Sequence, residues 1–171
     1  MDSLKSAKRS LSRSQSDEAY VIDLCDEVLQ LRASRQHHFD FLVGDPGQYG
    51  RCRKLPVDAY YESLSLVIEY REKQHTEEVR HFDKPDIMTV SGVNRGEQLK
   101  IYDQRRRDEL PKHGIKLIEI SYTDFEFDSR KKIVRDYPKD LLKVKQILIE
   151  GGCELINNTG LNYGTGGSKR A

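Results

Sequence analysis

Hydrophobic and polar residues alternate along this chain at two spacings, which predict a mixture of helices and strands. Apolar residues recur every three or four positions, as in amphipathic helices, over about 17–34, 97–112 and 138–150. Runs rich in β-branched and aromatic residues predict strands at 37–43, 55–61, 64–70 and 115–120. Helices that alternate with strands in this order favour an α/β fold, with a mixed central β-sheet flanked by helices.

The two middle strands are so close in sequence that they are expected to form an antiparallel hairpin. If the turn is Glu62-Ser63, Asp58 is the diagonal neighbour of Glu69 on one face of the sheet. A turn at Ser63-Leu64 instead places Asp58 directly opposite Glu69. In both registers the core face carries Leu64, Leu66, Ile68 and Tyr70, and the other face carries Ser65, Val67, Glu69 and Arg71.

Two carboxylates at this range repel each other unless a proton or a cation lies between them. Asp58 and Glu69 offer oxygen ligands, which suit Mg²⁺, an ion that usually takes one or two carboxylates along with water and phosphate. The pair therefore points to phosphodiester hydrolysis. The alternative is an ordinary polar face of a hairpin, exposed to solvent and without chemistry.

Composition and charge limit the kind of partner. The chain has 171 residues and 29 Lys plus Arg against 28 Asp plus Glu, so it lacks an overall basic footprint for nucleic acid. Any affinity for nucleic acid must therefore come from local clusters, of which the candidates are Arg51, Arg53 and Lys54 in one loop and Arg105 and Arg106 in the second helix. The alternative for the helix arginines is local ion pairing with Asp103, Asp108 and Glu109.

The ends of the chain differ in composition from its middle. Residues 1–16 are rich in Ser, Lys and Arg and residues 151–171 in Gly, which predicts flexible tails around a domain at 17–150. No apolar run approaches the roughly 18 residues that span a bilayer, so a soluble protein without a membrane partner is expected. Three scattered cysteines favour a reducing compartment, taken as the cytoplasm.

The hairpin and its surroundings resemble the PD-(D/E)xK nuclease superfamily. The segment at 55–61, the run at 66–70 and the following Gln74-His75 look most like the branch of very short patch repair endonucleases and related small phage and bacterial nucleases. The likeness extends over about 17–150. It implies a restriction-endonuclease-like core and a Mg²⁺- or Mn²⁺-dependent endonuclease that acts on DNA.

The resemblance also implies roles for individual residues. Asp58 and Glu69 would bind the metal, with the Tyr70 carbonyl as a third ligand and Glu27 of the first helix as an extra acid. His75 would contact the scissile phosphate or the attacking water, and Gln74 would orient the site.

Position 71 departs from the superfamily, which often has Lys there. Arg71 can stabilise phosphate charge but cannot act as a general base, because arginine stays protonated. Lys73, two residues further on the same face, is the candidate to replace it. The departure leaves open a catalytically impaired nucleic-acid-binding or assembly module of the same fold. A protein-interaction domain without nucleic acid is a third reading. Cutting both DNA strands with one small site would call for a homodimer.

Overall fold

The computed structural model describes residues 16–72 and 88–155. The elements, in chain order, are α1 (Asp17–Leu29), β1 (Ser34–Val43), β2 (Lys54–Tyr61), β3 (Leu66–Arg71), α2 (Arg95–Lys112), β4 (Lys116–Ser121) and α3 (Tyr137–Glu150). Short 3₁₀ turns occupy Glu62–Leu64 and Tyr122–Asp124. The predicted α/β class is confirmed.

The four strands form one mixed sheet in the order β1-β2-β3-β4. The first three strands are antiparallel neighbours, whereas β3 and β4 run parallel and are connected through α2. Helices α1 and α3 pack on one face, against Ile68 and Ile120. Helix α2 covers the other face, where its Leu110 packs with Val67. The expected central sheet between helices is therefore present.

The helix ends follow the capping signals in the sequence. Ser16 caps α1 by accepting a hydrogen bond from the Ala19 amide at 3.0 Å. This helix ends five residues earlier than predicted, because Gln30 adopts a left-handed conformation. β1 then begins at Ser34, three residues before its predicted start. Pro138 occupies the first turn of α3, as expected.

The hairpin turn is longer than the two-residue turn at Glu62-Ser63. Tyr61 pairs with Leu66 rather than with Leu64, and Ser65 turns the chain with φ of 46°. Of the two registers considered, the one with a Glu62-Ser63 turn is therefore wrong, and Leu64, expected on the core face, is 41 % exposed. The observed register is the alternative one, which continues to place Asp58 opposite Glu69.

The face that carries Glu69 is buried. All six residues of β3 are buried, and α2 covers the side of Val67, Glu69 and Arg71. The alternative of a solvent-exposed polar face is therefore wrong for this strand. These ionisable side chains need partners or a proton, because an isolated buried charge is costly.

The alternation of side chains along β2 changes at Asp58. Leu55 and Val57 join the core under α2, whereas Ala59 and Tyr61 join the core under α1 and α3. Regular pleating would put all four on one face. The facing strand is irregular at the same level, since Gln36 has φ of 51°.

Within residues 16–72 and 88–155, no helix has the length and apolar character needed to cross a membrane. The predicted tails lie almost wholly outside these ranges.

Candidate active site at the β2–β3 pair

Asp58 and Glu69 are locked together by hydrogen bonds across the two strands. The Asp58 amide donates to Glu69 Oε1 at 3.2 Å, and the Tyr70 amide donates to Asp58 Oδ2 at 2.8 Å. Each carboxylate thus accepts a hydrogen bond from the opposing backbone. The two acids that the sequence singled out are neighbours at one level of the sheet.

Burial and mutual repulsion disfavour the charge on Glu69. The side chain is 8 % exposed, and burial raises its pKa to about 8, with the negative charge of Asp58 adding to the effect. Arg106 opposes this shift, because its Nε lies 3.6 Å from Glu69 Oε1. Near neutral pH this carboxyl is therefore protonated in a large fraction of molecules unless a cation compensates it.

A third acid reaches Asp58 from α1. The Gln36 Nε2 group donates to Glu18 Oε1 at 3.1 Å and lies 3.5 Å from Asp58 Oδ1, so it bridges the two carboxylates. Burial and the charge of Asp58 both raise the pKa of Glu18. The group at this edge is therefore Asp58, Glu69 and Glu18, with Gln36 between two of them.

Glu27, the acid predicted from the first helix, lies elsewhere. It accepts a hydrogen bond from the hydroxyl of Tyr137 on α3. Nine residues separate it from Glu18, about 13 Å along a helix. The helical pattern of apolar residues did not single out Glu18. The left-handed backbone at Gln36, which brings its side chain to Glu18, could not be predicted from the sequence.

Arg106 connects the acid pair to α2. Its guanidinium donates to the Pro56 carbonyl at 2.9 Å through Nη2 and to Asp103 Oδ1 at 3.2 Å through Nη1. The side chain is 12 % exposed. Arg106 therefore supports β2 and Glu69 from within the protein, whereas the sequence suggested contact with DNA. Its pairing with Asp103 is the local ion pair considered as the alternative.

Arg71 belongs to the same buried network. Its guanidinium pairs with Asp103 and with Glu119, and its side chain is 7 % exposed. Glu119 is also bound by Arg107, whose Nε lies 3.0 Å from Oε2. The Arg71 guanidinium thus cross-links β3, α2 and β4.

The remaining predicted site residues fall into two groups. Lys73, Gln74 and His75 lie outside the described residues. Tyr70 is in β3 beside Asp58, with its ring in the core and its amide bound to the Asp58 carboxylate. Its carbonyl as a metal ligand stays a prediction.

The predicted basic residues are also divided. Arg105 binds within the protein, to Asp45 Oδ1 at 2.6 Å and the Val43 carbonyl at 2.9 Å. Arg51, Arg53 and Lys54 are exposed and line a groove of about 870 Å³. Pro56, whose carbonyl binds Arg106, lines the same groove. The groove therefore extends to within two residues of Asp58 along β2.

The donor set is compatible with a hard divalent cation. Two carboxylates side by side match the number that Mg²⁺ usually takes from a protein, and a cation would relieve the repulsion that raises the pKa of Glu69. Among the described residues, no group of three or more His, Cys, Asp or Glu side chains is arranged to hold a metal. Any remaining ligands would come from water and substrate.

No family model, curated protein or solved structure matches the chain. The function is therefore inferred from the residues themselves.

Proposed function

We propose that this protein is a Mg²⁺- or Mn²⁺-dependent DNA endonuclease with a restriction-endonuclease-like core, which hydrolyses phosphodiester bonds at Asp58 and Glu69. The observation that carries the proposal is the paired carboxylate site, in which buried Glu69 lies against Asp58 with its pKa raised to about 8. Strongly perturbed acids in such pairs are more common at functional sites than elsewhere.

Hydrogen bonds and an ion pair from the surrounding residues fix the orientation of these two carboxylates. The Tyr70 amide and Gln36 fix the Asp58 carboxylate, while Arg106 and the Asp58 amide fix that of Glu69. A bound Mg²⁺ would supply charge neutralisation for the phosphate in the transition state. The chain's own contribution is to keep two ionisable oxygens oriented and close together before substrate arrives.

Arg71 has a positioning role in this scheme. Because its guanidinium is occupied by Asp103 and Glu119, it holds the end of β3 against α2 and β4. The proton transfers of hydrolysis then fall to water or to groups beyond β3, where Lys73 and His75 remain the candidates from the resemblance.

Plasmid cleavage tests the proposal. Wild-type protein is expected to nick or linearise supercoiled DNA in the presence of Mg²⁺ or Mn²⁺ and to leave it intact in EDTA. Asp58→Asn and Glu69→Gln keep the size of each side chain and are expected to abolish cutting. Glu150→Gln, at the exposed end of α3, is the matched control and should cut normally. Absence of cleavage with either metal, or equal cleavage by Glu69→Gln, contradicts the proposal.

A second candidate is a non-catalytic DNA-binding or assembly module of the same fold. The burial of Arg71 in ion pairs favours it, because that position then offers no mobile amine to the reaction. Such a module binds DNA equally well with and without divalent metal and cuts none.

A further inference from the structure

A basic groove adjoins the acid pair, between the β1–β2 loop and the start of α2. Arg51 and Arg53 line it from the loop, Lys54 from the first residue of β2, and Arg95 from the first residue of α2. All four side chains are exposed. The sequence pattern did not bring Arg95 to this cluster, because more than forty positions separate it from Arg51.

Among the described residues that line the groove, cations outnumber acids by four to one. Asp45 is the acid among the described residues that line it, and its Oδ1 is paired with Arg105 Nη2 at 2.6 Å. Lys54 pairs with Asp40, an exposed contact that contributes little in water. A groove with four cations and one neutralised acid favours an extended anion.

The walls of the groove are held in place by a hydrogen-bonded centre at Tyr102. Its hydroxyl accepts from the Asp45 amide at 3.1 Å and lies 3.3 Å from Ser91 Oγ and 3.2 Å from Gln98 Nε2. Gly44 packs so closely on this ring that a Cβ there would lie 2.9 Å from the hydroxyl oxygen. The loop and α2 are therefore fixed relative to each other.

The groove leads toward the acid pair. Pro56 lines it, and Asp58 follows two residues later, about 7 Å along β2. Arg106 joins the two features, since it binds the Pro56 carbonyl and lies 3.6 Å from Glu69. A phosphate chain in the groove would thus approach the carboxylates from one side.

We infer that this groove binds the phosphate backbone of duplex DNA next to the scissile bond, with Arg51 and Arg95 contacting phosphates from opposite walls. The inference rests on the proposed function for its substrate. Binding can nevertheless be measured without cleavage, in metal-free buffer with EDTA.

The experiment measures the salt dependence of binding to a labelled 20-base-pair duplex by fluorescence anisotropy, using the full chain. Each phosphate contact contributes about −0.9 to the slope of log K against log salt. Arg51→Ala and Arg95→Ala are each expected to make the slope shallower by about 0.9, and the double variant by about 1.8. The ratio of the double-variant to wild-type dissociation constants should then shrink about 12-fold between 50 and 200 mM salt.

The matched control is Arg130→Ala with Lys145→Ala. Both side chains are exposed and lie outside the residues that line the groove, on a loop and on α3. Like the groove double variant, it removes two positive charges from a chain of net charge +1. It should keep the wild-type slope.

Several results would overturn the inference. Equal slopes for the groove and control variants would mean that net charge, not the groove, sets the affinity. Stronger competition by duplex RNA or by an acidic peptide than by unlabelled DNA would assign the groove to another partner. If the double variant does not fold, the single variant Arg51→Ala, in the exposed loop, provides the same test, with an expected change of about 0.9.

The outcomes separate the groove from the chemistry. Groove-dependent binding without cleavage in Mg²⁺ or Mn²⁺ supports the groove and contradicts the nuclease. Cleavage that persists while the groove variants bind like wild type contradicts the groove and supports the nuclease.

Discussion

Replacing Glu69 by glutamine is expected to change how the stability of the protein depends on pH. The native state holds the pKa of this carboxyl at about 8, against an ordinary value of 4.5. A raised pKa means that the folded state binds the proton more tightly than the unfolded state does. Stability from this group is therefore fully present below about pH 4.5 and is lost as the pH rises toward 8.

The size of the effect follows from the two pKa values. One pKa unit corresponds to about 1.36 kcal/mol, and most of the difference between 4.5 and 8 is expressed between pH 5 and pH 8. The free energy of unfolding of the wild type should fall by roughly 3–4 kcal/mol over this interval because of Glu69 alone. Glu69→Gln removes the titration while keeping the shape of the side chain.

Urea unfolding of both proteins at pH 5, 6, 7 and 8 measures this difference directly. Relative to wild type, Glu69→Gln should gain stability steadily as the pH rises, by roughly 3–4 kcal/mol in total. Glu150→Gln, an exposed acid on α3, should follow the wild-type curve. Parallel curves for Glu69→Gln and wild type would refute the reasoning, since they would mean that Glu69 titrates normally in the folded protein.

Three further predictions concern residues around the site. Arg71→Ala should lower the free energy of unfolding, measured in urea, by about 3–5 kcal/mol, because it leaves Asp103 buried without its main partner. The double variant Arg71→Ala with Asp103→Ala should lose less stability than the sum of the two single variants. Additive losses would contradict the ion pair. Gly44→Ala should destabilise by about 1–3 kcal/mol, because its Cβ would overlap the Tyr102 hydroxyl; an unchanged urea midpoint would refute the close packing. In plasmid assays Glu18→Gln should alter cutting and Glu27→Gln should not, because Gln36 connects only the former to Asp58; the opposite result would return the extra acid to Glu27.

Local patterns predicted the elements of this fold well, and the register of the hairpin less well. The cap at Ser16 and the proline at position 138, in the first turn, marked the starts of α1 and α3, because these signals act through adjacent residues. The end of α1 at Leu29 was missed, since Gln30 and Gln36 adopt left-handed conformations that their side chains do not require. The turn around Ser65 was missed for the same reason.

The acid pair was predicted because parity along two strands is robust to a two-residue error in the turn. Asp58 and Glu69 share a face of the sheet in either register of even length. The surroundings of the two carboxylates could not be predicted from the parity of the strands. Burial of Glu69 depends on α2, which packs on the sheet from thirty residues further along the chain. The contribution of Glu18 depends on the irregular backbone at Gln36.

Three consecutive arginines of α2 each bind a different part of the sheet and so position the candidate site. Arg105 binds the carbonyl of Val43, the last residue of β1, and Asp45 just beyond it. Arg106 binds the Pro56 carbonyl on β2. Arg107 binds Glu119 on β4. Successive residues of a helix point in different directions, so each arginine can hold a different strand. These cations fix the helix over the sheet, while the exposed cations of the groove remain in contact with solvent. The position of α2 therefore sets both the burial of Glu69 and the distance from the groove to the acid pair, and a substitution that loosens this helix should weaken the two together.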